Sequence, residues 1–172
     1  MRIRPEEKSD CEAISRLQYA AFLNHPVHQP GTEPTEHRIV ERLRAAGGLE
    51  LSLVALGEQG NEDGLLGHLA LSAAAVGEEQ EDWYLLGPVG VWPGRQRQGI
   101  GSALIRETLR VMQDCAARGV VLVGDPAYYA RFGFRTYGHL EYPGVPHQYV
   151  LALVLRGSDP VGAITAHPAF SG

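Results

Sequence analysis

The residues whose types and spacing most clearly suggest chemistry are the six from Gln96 to Gly101, QRQGIG, where a predicted strand is followed by a predicted helix. The first N–H groups of a helix have no carbonyl partner within it, and the helix dipole favours an anion there. Gly99 and Gly101 lack the Cβ atoms that would hold a phosphate away from those amides. Arg95 and Arg97 add positive charge beside the turn. The pattern therefore suits a pyrophosphate.

Two other phosphate-binding turns fit this segment poorly. A P-loop needs G-x-x-x-x-G-K-[ST], and Gly94 and Gly99 have that glycine spacing, but Ile100-Gly101 stands where Lys and Ser/Thr are required. A dinucleotide fingerprint needs a third glycine where this chain has Leu104, and an acidic residue about 20 positions further on, which the sequence does not supply. An NTPase and a dinucleotide-binding enzyme are disfavoured.

Helices that could position this turn are indicated by apolar residues at helical spacing. One follows Ser9 and Glu12, which form an S-x-x-E capping box. A second begins near Thr35, and a third runs from Gly99 to about Arg118. A short fourth helix opens at Asp125, a typical N-cap residue that is followed by proline.

Strands are predicted where apolar runs are bounded by turn residues. Their order with the helices is β-α-α-β-β-β-α-β-α-β-β, which indicates a mixed sheet with helices on its faces. The turn-rich connection 57–64 suggests an antiparallel hairpin. The predicted strands are Arg2–Arg4, Leu51–Leu56, Leu65–Val76, Trp83–Val91, Val120–Val123, Phe134–Leu140 and Gln148–Leu155.

Two segments resemble motifs of the GNAT superfamily of acetyl-CoA-dependent N-acetyltransferases. Motif A is a strand ending in V-x-P followed by [QR]-x-x-G-x-[GA] at a helix N-terminus, which 91–93 and 96–101 match. GDPAYYARFGF, at 124–134, resembles motif B, and especially a bacterial subgroup with D-x-x-Y-Y-x-R-F-G-F. The resemblance covers roughly Met1 to Arg156.

The resemblance implies an α/β (α+β mixed) GNAT fold. Its central sheet would be mixed and mostly antiparallel, with about six to seven strands flanked by about four helices. We expect residues 1–172 to form a single acetyl-CoA-dependent acyltransferase domain. Residues 157–172 would be a C-terminal extension whose order the sequence does not define.

The resemblance also implies where acetyl-CoA would lie, namely between two central strands that splay apart. The backbone of Val89, Gly90 and Val91 would pair with the pantetheine arm. Asp125 would either contact pantetheine or cap its helix, and the cap alone is favoured because it needs no ligand. The pyrophosphate would be held by the turn and the start of the helix, at Gln96, Arg97, Gln98, Gly99, Ile100, Gly101 and Ser102. No metal is expected.

In GNAT enzymes the acceptor amine usually attacks the thioester directly, so a proton donor to the departing thiolate is useful. Tyr129 stands four residues before Gly133 and matches the family's tyrosine, which makes it the expected general acid and a cofactor contact. A phenol with a pKa near 10 is protonated at neutral pH. The alternative is that Tyr129 is an aromatic packing residue that anchors the short helix. If the alignment to the family motif shifts by one residue, Tyr128 becomes the candidate general acid.

The general base is left open by the sequence. Glu81 and Asp82 precede the expected cofactor strand, although an acidic run is commonly a solvated loop. His68 lies on a predicted strand and could face the cleft, but a strand histidine satisfied by a neighbour is the plainer interpretation. His139 and Glu141 are further candidates near the expected substrate mouth.

The net charge, the apolar stretches and the cysteines of the chain disfavour several classes of partner and location. A net charge of −5 argues against a nucleic-acid binder and against a polybasic membrane anchor. No stretch approaches the roughly 18 apolar residues of a membrane span, and the charged first residues lack a signal-peptide core. Cys11 and Cys115 have no metal-ligand spacing and are expected to be free thiols in the cytoplasm.

The sequence therefore predicts a cytoplasmic N-acetyltransferase that uses acetyl-CoA and an amine acceptor of a small molecule or peptide. A non-catalytic acyl-CoA sensor on the same fold is the alternative. The resemblance allows a homodimer, although no residue pattern marks an interface. Nothing in the sequence identifies the acceptor.

Overall fold

The computed structural model describes residues 1–57 and 64–171. Within these ranges the chain forms four α-helices and eight strands. The helices are α1 (Cys11–Phe22), α2 (Glu36–Ala45), α3 (Ile100–Asp114) and α4 (Pro126–Tyr129). The strands are β1 (Arg2–Pro5), β2 (Leu51–Leu56), β3 (Leu65–Val76), β4 (Glu79–Val91), β5 (Gly119–Val123), β6 (Leu140–Glu141), β7 (Val150–Val154) and β8 (Gly162–Thr165).

The strands form one sheet in the order β1-β2-β3-β4-β5-β7, with β8 beside β3 and β6 beside β8. The pairs β4–β5 and β6–β8 are parallel, and the other pairs are antiparallel. The predicted mixed, mostly antiparallel sheet is confirmed, and among the described residues it has one strand more than the upper expected number. The antiparallel pairing of β2 with β3 agrees with the predicted hairpin, whose turn residues 58–63 lie outside the described ranges.

The helices cover opposite faces of the sheet, because successive strand residues point to opposite sides. On one face, Leu104 and Ile105 of α3 are fully buried in the cluster that contains Leu69 and Leu71 of β3. On the other face, α1 and α2 bury Ile14, Leu17 and Val40 against Val54 of β2 and Ala70 of β3. The sheet is therefore covered by helices on both faces.

The predicted capping box at Ser9 and Glu12 is wrong. A 3-10 turn (Lys8–Asp10) precedes α1, and the carboxylate of Asp10 accepts a hydrogen bond from the N–H of Glu7 at 2.7 Å. The same carboxylate accepts from the Arg4 guanidinium at 2.7 Å. Glu7 and Asp10 thus form the capping box of the 3-10 turn, and the Asp10 side chain makes no capping hydrogen bond to α1.

Strand β4 begins at Glu79, four residues before the predicted start at Trp83. The strand extends because its backbone stays paired with β3, where Val76 lies opposite Glu79. Two of the acidic side chains form ion pairs: Glu79 contacts Arg118 at 3.0 Å, and Asp82 contacts Arg156 at 2.8 Å. Exposed pairs of this kind add little stability.

The predicted strand Phe134–Leu140 is also wrong. Arg135 forms an isolated bridge to Ala152, and the chain then crosses the sheet with Tyr137 and Leu140 buried before the two-residue strand β6. Burial of these side chains, rather than strand pairing, fixes the segment. Beyond residue 157, β8 pairs with β3 and buries Ile164, so this part of the C-terminal extension completes the sheet.

A buried chain of hydrogen bonds crosses the α1 face. The Gln18 amide donates to Nδ1 of His68 at 2.8 Å, and Nε2 of His68 lies 2.8 Å from the Ser52 hydroxyl. That hydroxyl donates to the Glu6 carboxylate, which is held by two hydrogen bonds from Arg44. These contacts are mutually consistent with a neutral His68 whose proton is on Nε2.

Burial lowers the pKa of His68 from 6.5 to about 4, although the nearby Glu6 carboxylate opposes the shift and Arg44 adds to it. The unfolded chain therefore binds a proton at His68 between about pH 6.5 and pH 4, whereas the folded chain does not. The contribution of His68 to the free energy of unfolding should be fully present above about pH 6.5 and should be lost as the pH falls from there towards pH 4. The full shift corresponds to about 3 kcal/mol.

We predict that the free energy of unfolding, measured with urea, falls by about 2 kcal/mol between pH 6.5 and pH 5. His68→Gln should flatten this part of the profile, whereas His139→Gln, at an exposed site, should leave it unchanged. Burial opposes the shift at Glu6, but its hydrogen bonds from Arg44 and Ser52 outweigh burial and lower its pKa, and Arg4 lowers the pKa of Asp10. The stability that these carboxylates contribute is therefore lost at lower pH than that of His68. Identical slopes for wild type and His68→Gln would contradict the assignment to His68.

Candidate active site

The central feature of the site is a wedge between the parallel strands β4 and β5. They pair at Trp83–Gly119, Tyr84–Val120 and Leu85–Val121, and the pairing ends there. Beyond this point β5 continues with β7 alone, and β4 continues with β3 alone. The edge of β4 from Leu86 to Val91 is left open towards β5. Crevices at the carboxyl ends of parallel strands are common ligand sites.

A bulge lies on the open part of β4. Leu69 of β3 pairs with Val89, and Leu71 pairs with Leu86, so Ala70 stands opposite both Gly87 and Pro88. An extra residue of this kind bends its strand and interrupts the ladder of hydrogen bonds. The bulge therefore turns β4 where its partner β5 is lost.

The predicted strand residues Val89, Gly90 and Val91 lie on this open edge. Val89 and Val91 pack against the core that α3 covers. Gly90 is buried on the opposite face, where a Cβ atom would lie 2.6 Å from Oε1 of Gln18. A side chain at position 90 would collide with α1, so glycine is required for the close approach of helix and strand.

The turn after β4 has the geometry of an anion site. Arg97 and Gly99 adopt left-handed conformations with φ of 64° and 83°. The first hydrogen bond within α3 runs from the N–H of Ala103 to the carbonyl of Gly99 at 3.0 Å. The amides of Ile100, Gly101 and Ser102 precede it and are therefore available to a ligand. A Cβ atom on Gly99 would meet nothing within 4 Å, so the turn faces open space.

The residues of the turn have different exposures. Gln96, Arg97, Gln98 and Gly99 are exposed, whereas the side chain of Ile100 is buried in the core. Ile100 can consequently contribute only its backbone to a ligand.

The end of β4, the start of α3 and the short helix α4 converge at Gly101. A Cβ atom on Gly101 would lie 3.4 Å from the Tyr128 hydroxyl and 3.7 Å from Cγ2 of Val91. The Tyr128 hydroxyl is also 3.3 Å from Oγ of Ser102. The structure thus brings the strand, turn and motif B residues of the sequence prediction to one place.

Asp125 caps α4 by accepting a hydrogen bond from the N–H of Ala127 at 2.9 Å. Asp125 therefore has the capping role that the sequence analysis favoured. A contact between Asp125 and a ligand stays a prediction.

Tyr129 lies in an aromatic cluster at the wide end of the wedge. Its ring is 5.0 Å from that of Tyr128 and 5.8 Å from that of Phe134. A Cβ atom on Gly124, the residue after β5, would lie 2.6 Å from the Tyr129 ring. Burial, together with the proximity of Tyr128, raises the pKa of Tyr129 to about 12. Its phenol is protonated throughout the neutral range.

The structure does not bring the acidic base candidates to the open edge. Glu81 and Asp82 lie four or five residues before Leu86, about 13–17 Å along the strand. Asp82 is already paired with Arg156.

His68 lies opposite Gly90, but both ring nitrogens are hydrogen-bonded and the side chain is fully buried. His139 and Glu141 lie at β6, which pairs with β8. Strand β8 pairs with β3 at Ala75 and Val76. Ala75 is about 13 Å along β3 from Leu71, the residue opposite the start of the open edge. None of these residues is placed to act as a base at the open edge.

Sequence reasoning missed Gln18. It occupies the apolar face of α1, between Ile14 and Ala21, and its side chain is fully buried beside β4. A polar residue in line with apolar ones at helical spacing is the signal that could have revealed it.

Trp83 and Trp92 serve as packing residues. Trp83 is 1% exposed in the core, and its ring fills the space that a side chain at Gly119 would occupy. Trp92 packs partly buried against the cluster under α1 and α2. Across residues 1–57 and 64–171, the side chains form no cluster of three or more potential metal ligands, and no helix is long and apolar enough to cross a membrane.

Comparisons with known proteins agree with this geometry. Residues 2–137 match the model of an acetyltransferase (GNAT) domain. The chain is 32% identical over 139 residues to the Escherichia coli protein named uncharacterized N-acetyltransferase YhbS, covering 81% of this chain and 76% of that one.

Two crystal structures show the same architecture. A GNAT family acetyltransferase from Brucella melitensis, in complex with acetyl-CoA, superposes with a TM-score of 0.80 at 41% identity, over 98% of this chain and 97% of the other. Escherichia coli YhbS in complex with CoA superposes with a TM-score of 0.85 at 28% identity, over 99% and 92% of the two chains. The match to the domain model, together with the wedge and the glycine turn, shows that the chain belongs to the GNAT acetyltransferase family.

Proposed function

We propose that this protein transfers the acetyl group of acetyl-CoA to a primary amine of a small molecule or peptide. The observation that carries the proposal is the open edge of β4, which ends at a glycine turn on the N-terminus of α3. An extended pantetheine arm can pair with such an edge as an added strand does. A pyrophosphate fits the amides of the following turn.

The residues proposed to bind acetyl-CoA follow from this arrangement. Val89, Gly90 and Val91 supply the strand edge. The backbone of the turn and the start of α3, from Gln96 to Ser102, surrounds the pyrophosphate. The relatives crystallised with acetyl-CoA and CoA support this choice of donor.

In the transfer step the nitrogen of the acceptor amine attacks the thioester carbonyl carbon. The carbon–sulfur bond then breaks, the nitrogen loses a proton, and the sulfur leaves as a thiolate that takes one up. Backbone N–H groups of β4 that follow the bulge, around Val91, are proposed to polarise the carbonyl, because fixed dipoles aimed at developing charge lower the barrier.

Tyr129 is proposed as the general acid for the departing sulfur. Its raised pKa of about 12 keeps the phenol protonated at neutral pH. A thiol is more acidic than this phenol, so the hydrogen bond to the developing thiolate, rather than complete proton transfer, supplies most of the stabilisation. The aromatic cluster fixes the ring against Gly124 and Phe134.

Thiol release from acetyl-CoA across a panel of small amines and peptides tests the proposed reaction directly. Acceptor-dependent release, with the acetylated amine identified by mass spectrometry, is the expected result. Tight binding of acetyl-CoA without release for any acceptor would instead indicate a non-catalytic acyl-CoA sensor.

Acetyl-CoA should raise the melting temperature of the wild type. At a ligand concentration of 100 times Kd the stabilisation is about 2.7 kcal/mol, which corresponds to roughly 5–10 °C for a chain of this size. Gly101→Glu should abolish the increase, because its carboxylate would occupy the anion site. The change should be tolerated by the fold, since a Cβ atom there makes ordinary contacts.

Gly138→Glu is the matched control. It makes the same substitution at an exposed glycine where a Cβ atom would meet nothing within 4 Å, and it should retain the ligand response. A wild type that shows no response to acetyl-CoA by calorimetry would rule out the proposed role of the turn.

Tyr129→Phe should lower kcat by about 100-fold or more, because losing a hydrogen-bond donor to a charge that develops in the transition state costs that much. The KM for acetyl-CoA should change little, since the phenylalanine ring keeps the packing against Phe134. Steady-state kinetics, under conditions in which chemistry limits turnover, provide the measurement.

Tyr128→Phe is the comparison variant. It removes the hydroxyl beside Ser102 and should affect the KM for acetyl-CoA more than kcat. The reverse pattern, with kcat lost in Tyr128→Phe and retained in Tyr129→Phe, would transfer the general acid role to Tyr128.

A further inference from the structure

The Gln18 side chain connects the buried hydrogen-bond chain of the α1 face to the open edge of β4. Besides donating to Nδ1 of His68, its amide nitrogen lies 3.4 Å from the carbonyl oxygen of Pro88. Its Oε1 is buried, with no hydrogen-bond partner among the described residues, and it lies 2.6 Å from the position of a Gly90 Cβ atom. The Gln18 side chain therefore contacts the residue before Val89 and the residue after it.

The bulge needs such a contact. Gly87 and Pro88 together face Ala70, so the ladder between β3 and β4 is interrupted there, and proline has no N–H to contribute. On the other side of β4, β5 has already diverged. The Pro88 carbonyl thus lies where neither neighbouring strand holds the backbone in regular pairing, and Gln18 supplies a donor from above the sheet.

The orientation of the Gln18 amide is set by His68. With the His68 proton on Nε2, Nδ1 is an acceptor and selects the NH2 group of Gln18 rather than its oxygen. The proton stays on Nε2 because the Ser52 hydroxyl accepts it while donating to the Glu6 carboxylate. Rotating the amide by half a turn would bring its oxygen towards the carbonyl of Pro88 and would lose the hydrogen bond to Nδ1.

We propose that Gln18 and His68 are positioning residues for acetyl transfer, which hold the β4 bulge so that the N–H groups of the residues that follow it, around Val91, meet the thioester carbonyl. This inference rests on the proposed function, because it assigns the bulge to the acetyl end of acetyl-CoA. Neither residue needs to contact the reacting atoms. The glutamine amide cannot relay protons, so the hydrogen-bond chain orients the strand and does not carry the proton of the acceptor.

The pyrophosphate and the acetyl group are proposed to be held by different elements, the turn of α3 and the bulge of β4. Loss of Gln18 should therefore separate catalysis from binding. In Gln18→Met, a side chain of similar length that lacks the donor, we expect kcat to fall about 10- to 100-fold, since small misplacements of a reacting group have effects of this order. The KM for acetyl-CoA should be nearly unchanged.

A readout without an acceptor is provided by acetyl-CoA labelled with 13C at the acetyl carbonyl. Hydrogen bonding from β4 should move the carbonyl resonance downfield on binding to the wild type. The shift should be smaller in Gln18→Met, with the same Kd by calorimetry. A purely structural role for Gln18 would lower the melting temperature and leave the shift of the bound ligand as in the wild type.

Ser72→Ala is the matched control. Ser72, on β3, is fully buried like Gln18, and its hydroxyl has no hydrogen-bond partner among the described residues. It should keep the wild-type shift and kcat. Ser52→Ala tests the same proposal if Gln18→Met does not fold, because it releases the proton on Nε2 of His68. It should change the carbonyl shift in the same direction.

The outcomes distinguish the two proposals. If the wild type does not bind acetyl-CoA, the proposed function fails and this inference fails with it. If the wild type binds and shows the downfield shift, but Gln18→Met and Ser52→Ala show the same shift and the same kcat, the positioning role alone is overturned.

Discussion

The loss of pairing between β4 and β5 after Leu85 is the constraint on which the rest of the structure depends. An open strand edge inside a sheet leaves backbone donors and acceptors that need partners. In this fold the edge is buttressed from both faces, by α3 on one side and by α1 on the other. The narrow end of the wedge is closed by Trp83, whose ring occupies the space left by Gly119. Both ends are therefore defined by specific packing, and the space between them is available for an extended ligand.

The two helices beside the wedge contribute in different ways. Helix α3 presents its N-terminus through Gly99 in a left-handed conformation and anchors itself with Ile100 in the core. Helix α1 instead presents its lateral surface, where Gln18 lies against Gly90 and reaches the Pro88 carbonyl. The same open strand is thus held at one end by backbone geometry and along its length by a side chain. In the proposed function, this division separates the binding of the donor's phosphates from the alignment of its thioester.

Much of the fold could be predicted from local sequence signals. The periodicity of Ile100, Leu104, Ile105 and Met112 located α3, and the apolar runs located β2, β3 and β5 close to their observed bounds. Asp125 is the N-cap that its residue type suggested. The resemblance to GNAT motifs directed attention to the strand, the turn and Tyr129. These features are local, since they depend on residues that are near one another in the chain.

The features that could not be predicted depend on contacts between distant residues. Glu79, the first residue of β4, contacts Arg118, which lies 39 positions away in the chain. Residues 134–140 do not form a strand because Tyr137 and Leu140 pack across the sheet, and the C-terminal strand β8 depends on pairing with Ala75 and Val76. The hydrogen-bond chain through Gln18, His68 and Glu6 was missed for the same reason, because its members come from three distant segments and only Gln18 stands out within its own.

Strands β7 and β8 have a consequence for how this chain can be shortened. The match to the family domain ends at residue 137, but β7 covers the edge of β5 along its whole length, and β8 extends the sheet beside β3. A chain cut at that boundary would leave the β5 edge from Val120 to Leu122 without its β7 partner, and exposed apolar edges promote intermolecular association. The limits of the family-domain match are therefore not the limits of the sheet, and a tag or fusion is better placed beyond the 3-10 turn Pro168–Ser171 than before β7.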